Sequence, residues 1–335
     1  MRRASTTVKF ITTGCEFRPI RARNISTESQ LSKRPFTDFS LARLHSKSLL
    51  RLSGSDVYPF LQGILTNDVQ ILEHGASSLY TQLLNIKGRV LCDLILYNDT
   101  KEAGNVLVEV DSSQTDLLIK TFKKYKIRKK VKIENETNNL ASYAAFGCFN
   151  EQPETDVSSI AMYRDPRIPQ LGWRILSSQP VSHELDSHAQ EEDAYRQHRY
   201  KLGVGEGPEE HIPEKSLPLE CNSFLLHGVS FSKGCFIGQE LTSRSHHTGV
   251  IRKRIMPVTY SSAKSLKAQS EVKLCATDKS AGTVRCGVNG YGLALLRVND
   301  VLKNGAAIYT TDSNGDTLEL STNRPNWWPE GVGVL

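Results

Sequence analysis

Apolar positions near residue 60 recur with the period of a helix. Five of them lie at i, i+3, i+4, i+7 and i+8, on one helical face: Val57, Phe60, Leu61, Ile64 and Leu65. The preceding residues 54–56 read Gly-Ser-Asp, and serine and aspartate favour the start of a helix. The pattern therefore predicts a core helix, preceded by a strand over 39–52 and followed at 66–68 by three hydrogen-bonding side chains.

Two further apolar runs, 79–84 and 89–97, flank the dipeptide Lys87-Gly88. Because glycine readily adopts the positive φ of a tight turn, these runs are predicted to form a β-hairpin. A strand, an amphipathic helix and another strand follow, up to residue 133. Strands and helices mix without strict βαβ alternation, and the sequence has no glycine-rich phosphate loop. The predicted fold class is α+β.

Beyond Gly249 the helical period disappears, and Asn, Asp, Gly and Ser turns separate short β-forming runs. These runs cover 254–260, 271–275, 291–297, 307–310 and 317–321. Their spacing predicts a small β-barrel or sandwich. Trp327 and Trp328 are expected to bury aromatic area at its open end.

The first 34 residues account for the whole formal net charge of +6, since the remainder holds equal numbers of acidic and basic groups. This segment is rich in Arg, Ser and Thr and poor in acids, which is typical of a mitochondrial presequence. Arg23-Asn24-Ile25 before Ser26 resembles a matrix processing site, so we predict a mature chain from about Ser26 and a location in the mitochondrial matrix. The alternative is a basic tail without targeting function. No apolar run approaches the roughly 18 residues of a membrane-spanning helix, so no span is predicted and the mature protein is expected to be soluble.

The cysteines form no recognisable metal or disulfide framework. They lie at positions 15, 92, 148, 221, 235, 275 and 286. No two are spaced as Cys-x-x-Cys, and no Cys/His group has zinc-ligand spacing. An odd, scattered set in a reducing compartment predicts free thiols.

A run of basic residues covers 120–132 and holds eight lysines and arginines, with Phe122 and Tyr125 between them. Basic residues interleaved with aromatic ones are typical of an RNA site. Both aromatics, however, fall on the apolar helix face with Leu118, where packing needs them. We therefore favour a solvated face or a docking patch for an acidic partner over a nucleic-acid partner.

One cysteine differs from the others in its neighbours. Residues 232–244 read SKGCFIGQELTSR, so that Lys233 lies two positions before Cys235 and favours its thiolate. Gly234 and Gly238 allow another molecule to approach the backbone closely. Three further polar groups follow within ten residues: Gln239, Glu240 and Arg244. We interpret the stretch as a candidate reactive site, with simple packing of Cys235 as the alternative.

Other polar residues near the ends of predicted elements could contribute to a site, or could be caps and surface ion pairs. They are Asn67, Asp68, Arg89 and Asp93. His246 and His247 follow the cysteine stretch, but adjacent side chains diverge, so one metal cannot easily use both.

Residues 233–240, KGCFIGQE, resemble the signature of the YgfZ-type folate-binding proteins, relatives of the aminomethyltransferase T-protein (GcvT) of the glycine cleavage system. Further stretches fit in order: GSDVYPFLQGILTND at 54–68, GRVLCDLILY at 88–97, YKIRKKV at 125–131, residues 165–174, LPLECN at 217–222 and residues 228–254. The resemblance covers about residues 38–330. With its basic first segment and the ending RPNWWP at 324–329, the chain most resembles the mitochondrial branch, which serves in iron-sulfur cluster assembly.

The resemblance implies a GcvT/YgfZ-like ring of two mixed α/β subdomains and a β-barrel around a folate-sized hole. We accordingly divide the chain into a presequence and tail at 1–35, a bipartite α+β domain at 36–250 and a β-barrel domain at 251–335. The resemblance also implies partners: A-type scaffold proteins, and [4Fe-4S] client apoproteins of the aconitase and lipoate synthase type.

A protein with one exposed reactive thiol cannot hold a cluster on four cysteines, but it can supply one ligand to a cluster shared with a partner. Cys235 is thus a candidate metal ligand for a transient shared iron-sulfur cluster. Its use as a nucleophile or sulfur carrier stays open. Lys233 and Asp93 are the other candidates for chemistry, and tetrahydrofolate is a candidate cofactor. Its candidate binding residues are Asn67, Arg89, Gln239, Glu240 and Arg244.

Two departures from the T-protein bear on the activity. Paired aspartates of the T-protein correspond here to Cys92-Asp93, so one carboxylate is missing. The folate-holding glutamate corresponds to Lys201, whose ammonium cannot accept the pterin's N–H donors. An assembly factor is therefore the leading hypothesis. A tetrahydrofolate-dependent one-carbon transferase that uses Asp93 is the rival, and an RNA-binding module is the third possibility.

Overall fold

The computed structural model describes residues 39–332, apart from 100, 101, 103, 148–159, 180 and 182–188. The predicted presequence, Cys15 and Cys148 therefore lie outside the described residues. Helices in the described part are α1 (Val57–Ile64), α2 (Gln70–Glu73), α3 (Thr115–Lys126), α4 (Glu192–Leu202), α5 (Gln239–Thr248) and α6 (Val298–Leu302). Short 3-10 turns cover Ser112–Gln114, Pro169–Leu171 and Lys303–Gly305.

The strands fall into two open sheets and one barrel. Those that precede α4 are β1 (Ser40–Arg43), β2 (Lys47–Ser53), β3 (Ser78–Leu84), β4 (Val90–Asn98), β5 (Val106–Asp111), β6 (Lys132–Asn135), β7 (Ala141–Phe146), β8 (Ile160–Arg164), β9 (Trp173–Ser177) and β10 (Ala189–Gln190). Those that follow α5 are β11 (Lys253–Thr259), β12 (Glu271–Leu274), β13 (Ser280–Val288), β14 (Tyr291–Arg297), β15 (Ile308–Thr311) and β16 (Thr317–Thr322).

The first sheet has the order β3-β4-β5-β2-β6, with antiparallel pairs throughout. Helices α1 and α3 contribute their apolar faces to its largest core cluster, where Phe60 meets Phe122 edge to face at 5.5 Å. Four of the five predicted face positions on α1 lie inside the helix and are buried. The predicted hairpin is also present, because β3 and β4 pair around Gly88 at φ +75°.

The second sheet has the order β10-β1-β7-β9-β8, in which β1 pairs with β10 in parallel and the other pairs are antiparallel. The single strand predicted over 39–52 is wrong, since β1 and β2 belong to different sheets. The Lys47 amide donates to the Leu44 carbonyl, which closes a turn between them. Apolar side chains of both sheets then share one cluster, including Leu49, Tyr97 and Tyr163.

The C-terminal strands close into a barrel in the order β11-β14-β13-β12-β15-β16. Its interior holds Met256, Val284 and Leu296, together with Trp328, as the sequence predicted for that aromatic side chain. Strand β13 was missed because Gly282, Gly287 and a register shift between Val284 and Cys286 interrupt its alternation.

Candidate functional site

Cys235 lies in a loop, residues 232–238, that leads into α5; we call it the thiol loop. Its side chain is exposed, as is that of Cys275 on the barrel, whereas Cys92 and Cys221 are buried. Burial raises the pKa of Cys92, and raises that of Cys221 to about 12, so neither is readily ionised. By exposure alone, two of the five described cysteines are candidates for a reactive thiol, Cys235 and Cys275. The surroundings of Cys235 distinguish it from Cys275.

Lys233 anchors the thiol loop to the end of α1. Its Nζ atom donates hydrogen bonds to the carbonyls of Gln62 and Leu65 at 2.7 Å and of Asn67 at 2.8 Å. These carbonyls lie at and beyond the C-terminus of α1, where helix carbonyls lack partners and favour a cation. Burial lowers the pKa of Lys233 to about 8, against the opposing charge of Asp68. The three N–H groups of the ammonium are thus already engaged with backbone oxygens.

Phe236 anchors the other side of the cysteine, because its ring is buried with Leu84 and Val90. Gly238 follows at φ +78°, and a Cβ atom there would lie 2.3 Å from the Asn85 carbonyl oxygen. A residue larger than glycine would therefore push the thiol loop off the β3–β4 turn. Cys235 is held between two fixed neighbours while its own side chain reaches solvent.

The predicted cofactor-binding residues make local structural contacts. Gln239 Oε1 accepts from the Phe236 amide at 3.2 Å, and Glu240 pairs with Arg244 at 2.6 Å on the exposed side of α5. Arg89 donates to the Lys215 carbonyl at 2.7 Å. Asn67 donates through Nδ2 to the carbonyls of Tyr80 and His227. The contacts of Arg89 and Asn67 tie separate chain segments together, whereas the others lie within the thiol loop and α5. The predicted role of these residues in cofactor binding stays a prediction.

Asp93 lies elsewhere, buried on β4 between the two sheets. Its Oδ1 atom accepts from the Gly207 amide at 2.9 Å and lies 3.3 Å from His211 Nδ1. Burial opposes its charge, but His211 and then Lys47 lower the pKa of Asp93 to about 2. The carboxylate therefore stays ionised throughout the physiological range.

Asp93 belongs to a larger group of ionisable side chains, which we call the buried charge cluster. Its members are Lys47, Asp93, Glu109, Asp165, Arg167, Arg174, Arg199, Glu206, Glu210 and His211. Glu206 is at its centre, with Oε2 2.7 Å from Arg167 and 2.6 Å from Arg174, and Oε1 2.8 Å from Lys47. Burial opposes this charge too, but Arg174, Lys47 and the other cations hold the pKa of Glu206 well below its usual range.

Sequence reasoning missed this cluster because its members are spread over residues 47–211. One local signal was present. Glu109 interrupts an otherwise apolar strand, Val-Leu-Val-Glu-Val, and a charge inside such a run predicts a buried partner.

Tetrahydrofolate, which the resemblance implied, can be tested against the residues present here. Near Asp93, the side-chain amide of Gln82 and the Tyr80 hydroxyl are buried and have no hydrogen-bond partner among the described residues, which suits a small polar group. The pterin end fits less well. Lys201 carries its ammonium over the Tyr291 ring at 4.5 Å and offers no acceptor.

The space beside the buried charge cluster is also small. A cavity of about 240 Å³ opens next to Lys47, Tyr195, Arg199 and Glu206. Pockets for drug-sized ligands measure roughly 300–1,000 Å³ and are mostly apolar. The residues around this cavity therefore do not fit a whole folate, and we derive no reaction step through it.

Two comparisons concern the architecture. The family description "CAF17, C-terminal beta-barrel domain" matches residues 252–330. A crystal structure of glycine cleavage system aminomethyltransferase T from Bartonella henselae superposes with a TM-score of 0.67 at 15% identity, covering 87% of this chain and 86% of that one. At that identity the likeness shows the fold alone. The molecule is thus a protein of the aminomethyltransferase T fold with a CAF17-type barrel, which confirms the predicted α+β fold class.

Curated relatives define the family. "Iron-sulfur cluster assembly factor IBA57, mitochondrial" of Mus musculus is 37% identical over 308 residues, and the human protein of the same name 36% over 306. Each alignment covers 86% of this chain and 85% of the relative. A homologue from Mycosarcoma maydis is 30% identical and covers 92% and 90%. The chain therefore belongs to the IBA57 family of iron-sulfur cluster assembly factors, which confirms the predicted relationship. These relatives are named mitochondrial proteins, in agreement with the predicted location.

Proposed function

We propose that this protein is a mitochondrial matrix assembly factor that matures [4Fe-4S] proteins together with A-type scaffold proteins. Family membership supports the task, and the exposed, anchored thiol of Cys235 is the observation that supports the site. The buried charge cluster offers no comparable access, since its side chains are engaged with one another.

Cys235 would act as one ligand of a cluster that is cargo shared with the scaffold protein. Among the described residues, no group of three or more His, Cys, Asp or Glu side chains could hold a metal ion. A cubane cluster usually takes four cysteine ligands, so the others must come from the partner. Anchors on both sides of Cys235 reduce the conformational entropy that cluster binding would otherwise remove.

The surface around the thiol loop is suited to a protein partner. Ile86, at the tip of the β3–β4 turn that Gly238 contacts, is 79% exposed. Just before the thiol loop in the chain, Phe231 stacks on His246 at 3.8 Å, and Phe224 beside them is 42% exposed. Exposed apolar and aromatic side chains that flank a reactive group are typical of interface hot spots. We infer that the scaffold protein covers both flanks and brings its own ligands to Cys235.

Reconstitution with an A-type scaffold protein tests this proposal. Wild-type protein should form a cluster-bridged complex, seen in visible absorption and circular dichroism and by co-elution of iron with both chains. Cys235→Ser should abolish the bridged complex, whereas Cys275→Ser, at the other exposed cysteine of the described residues, should leave it intact. Bridged clusters that survive in Cys235→Ser would overturn the assignment.

A cellular measurement complements the reconstitution. In depleted cells, Cys235→Ser should fail to restore aconitase activity, and Cys275→Ser should restore it. If Cys235→Ser fails in cells although the purified variant still forms the bridged cluster, Cys235 is a nucleophile or sulfur carrier and the ligand role is wrong.

A further inference from the structure

The basic run found in the sequence forms an exposed surface that the proposed cluster chemistry does not use. Two of its members are engaged locally, since Lys126 donates to the Val131 carbonyl and Lys132 pairs with Glu134. The other six are exposed and show no ion pair among the described residues. We call them the basic patch: Lys120, Lys123, Lys124, Arg128, Lys129 and Lys130.

An apolar residue projects from the middle of the basic patch. Ile127, the residue at the C-terminal end of α3, is 78% exposed. Its backbone has φ 44° and ψ −104°, a positive-φ conformation that β-branched residues rarely adopt. Glycine, which has no Cβ atom, would relieve that strain. The chain instead presents a large aliphatic side chain to solvent, surrounded by cations.

The outward face of α3 continues this arrangement. Leu117, Lys120 and Lys124 are spaced i, i+3 and i+7 and lie on the side opposite the buried Leu118 and Phe122. Leu117 is itself 39% exposed. Exposed aliphatic side chains thus lie about 15 Å apart, at 1.5 Å per residue, with lysines between them.

This composition favours a lipid surface over RNA or an acidic protein. Phe122 is buried against Phe60, and Tyr125 packs against the core, so neither can stack on bases. Five of the six basic residues are lysines, whose point charges suit a diffuse anionic surface better than defined carboxylate pairs. Clustered lysines with an aliphatic residue on an amphipathic helix are typical of peripheral binding to anionic bilayers.

We propose that the basic patch binds a membrane surface containing anionic lipid, with Ile127 inserted among the headgroups. None of the described helices combines the length and apolarity needed to cross a bilayer, so the contact is peripheral. This interaction is independent of Cys235 and of the cluster chemistry proposed above.

Co-sedimentation of the full chain with vesicles tests the proposal. Vesicles of phosphatidylcholine with phosphatidylglycerol should bind the protein, vesicles of phosphatidylcholine alone should not, and added salt should weaken binding. Ile127→Asn should reduce binding at least about tenfold, because it removes the aliphatic side chain that enters the headgroups, and circular dichroism checks that the fold is kept. Ile86→Asn, equally exposed but outside the patch, is the matched control and should bind as wild type.

The remaining variants separate the alternatives. Lys123→Glu with Lys124→Glu should abolish vesicle binding, and Cys235→Ser should not alter it. The proposal is overturned if Ile127→Asn binds vesicles like wild type. It is also overturned if the wild type binds single-stranded RNA or an acidic protein but not anionic vesicles, and the patch variants lose that binding.

Discussion

The thiol loop and the buried charge cluster use polar side chains in opposite ways. In the thiol loop, Lys233 and Phe236 fix the backbone and leave Cys235 exposed. In the buried charge cluster, Glu206 contacts several cations at once and is itself enclosed. The thiol loop leaves the sulfur of Cys235 accessible to another molecule, whereas the side chains of the buried charge cluster form ion pairs with one another.

This difference shows that the fold and the candidate site have to be argued separately. The aminomethyltransferase T fold is shared at 15% identity, yet between the two sheets of this chain lie fully buried guanidinium groups of Arg167 and Arg174. Function lies in sites that a fold carries and is not implied by the fold. We therefore propose that the chemistry takes place at the exposed Cys235, and we treat the buried charge cluster as structural.

The largest stability effect is expected at the centre of the buried charge cluster. Glu206→Gln removes the anion shared by Lys47, Arg167 and Arg174 and leaves their buried charges only partly compensated. Removing one partner of a buried ion pair typically costs about 3–5 kcal/mol. Urea unfolding should show this loss. Glu240→Gln, which breaks only the exposed pair with Arg244, is the control and should leave the free energy of unfolding nearly unchanged.

The elements that could be predicted from sequence are those with short-range signals. The apolar period from Val57 identified α1, and Lys87-Gly88 identified the hairpin. Helix α5 was missed because Thr242 is its one buried residue, so it has no apolar stripe to detect. Cys235 could be singled out by its neighbours, but the hydrogen bonds of Lys233 join residues about 170 positions apart and leave no local pattern.

A smaller effect is expected from Asp93, and it depends on pH. Its folded pKa of about 2 lies below the usual 3.8, so its stabilising contribution is complete above pH 3.8 and is lost as pH falls towards 2. Asp93→Asn should therefore cost about 2 kcal/mol near neutral pH and roughly half of that at pH 3. Urea unfolding of both proteins between pH 7 and 3 measures this. A cost that stays constant over the range would contradict the assigned pKa.

Lys233→Met should have a more modest effect on stability, because water can replace some of the hydrogen bonds that the lysine donates. Loss of its hydrogen bonds to the α1 carbonyls should cost about 1–2 kcal/mol and reduce retention of the bridged cluster, although Cys235 remains. Lys233→Arg should restore this stability poorly, since no single nitrogen of the planar guanidinium can donate to all three carbonyls.

Thiol labelling distinguishes two roles of Lys233. The first is to anchor the thiol loop to α1, and the second is to stabilise the Cys235 thiolate, as predicted from the sequence. If Lys233 acts mainly on the thiolate, Lys233→Met should slow the labelling of Cys235 with no loss of stability. If it acts as an anchor, the free energy of unfolding falls, and the labelling rate is not lowered.

The smallest effect is expected from folate. A ligand that binds the folded state raises the unfolding temperature by an amount that grows with its concentration relative to Kd. Because the residues around the cavity do not fit a whole folate, 5-formyltetrahydrofolate should leave the melting curve unchanged. Lys201→Glu restores an acceptor where the T-protein has one, yet the cations of the buried charge cluster still occupy the space between the sheets. That variant should therefore gain little affinity. A clear thermal shift of the wild type that Asp93→Asn abolishes would show that the space near Gln82 and Tyr80 holds the cofactor. The contrast between an exposed thiol loop and an enclosed buried charge cluster would then be wrong.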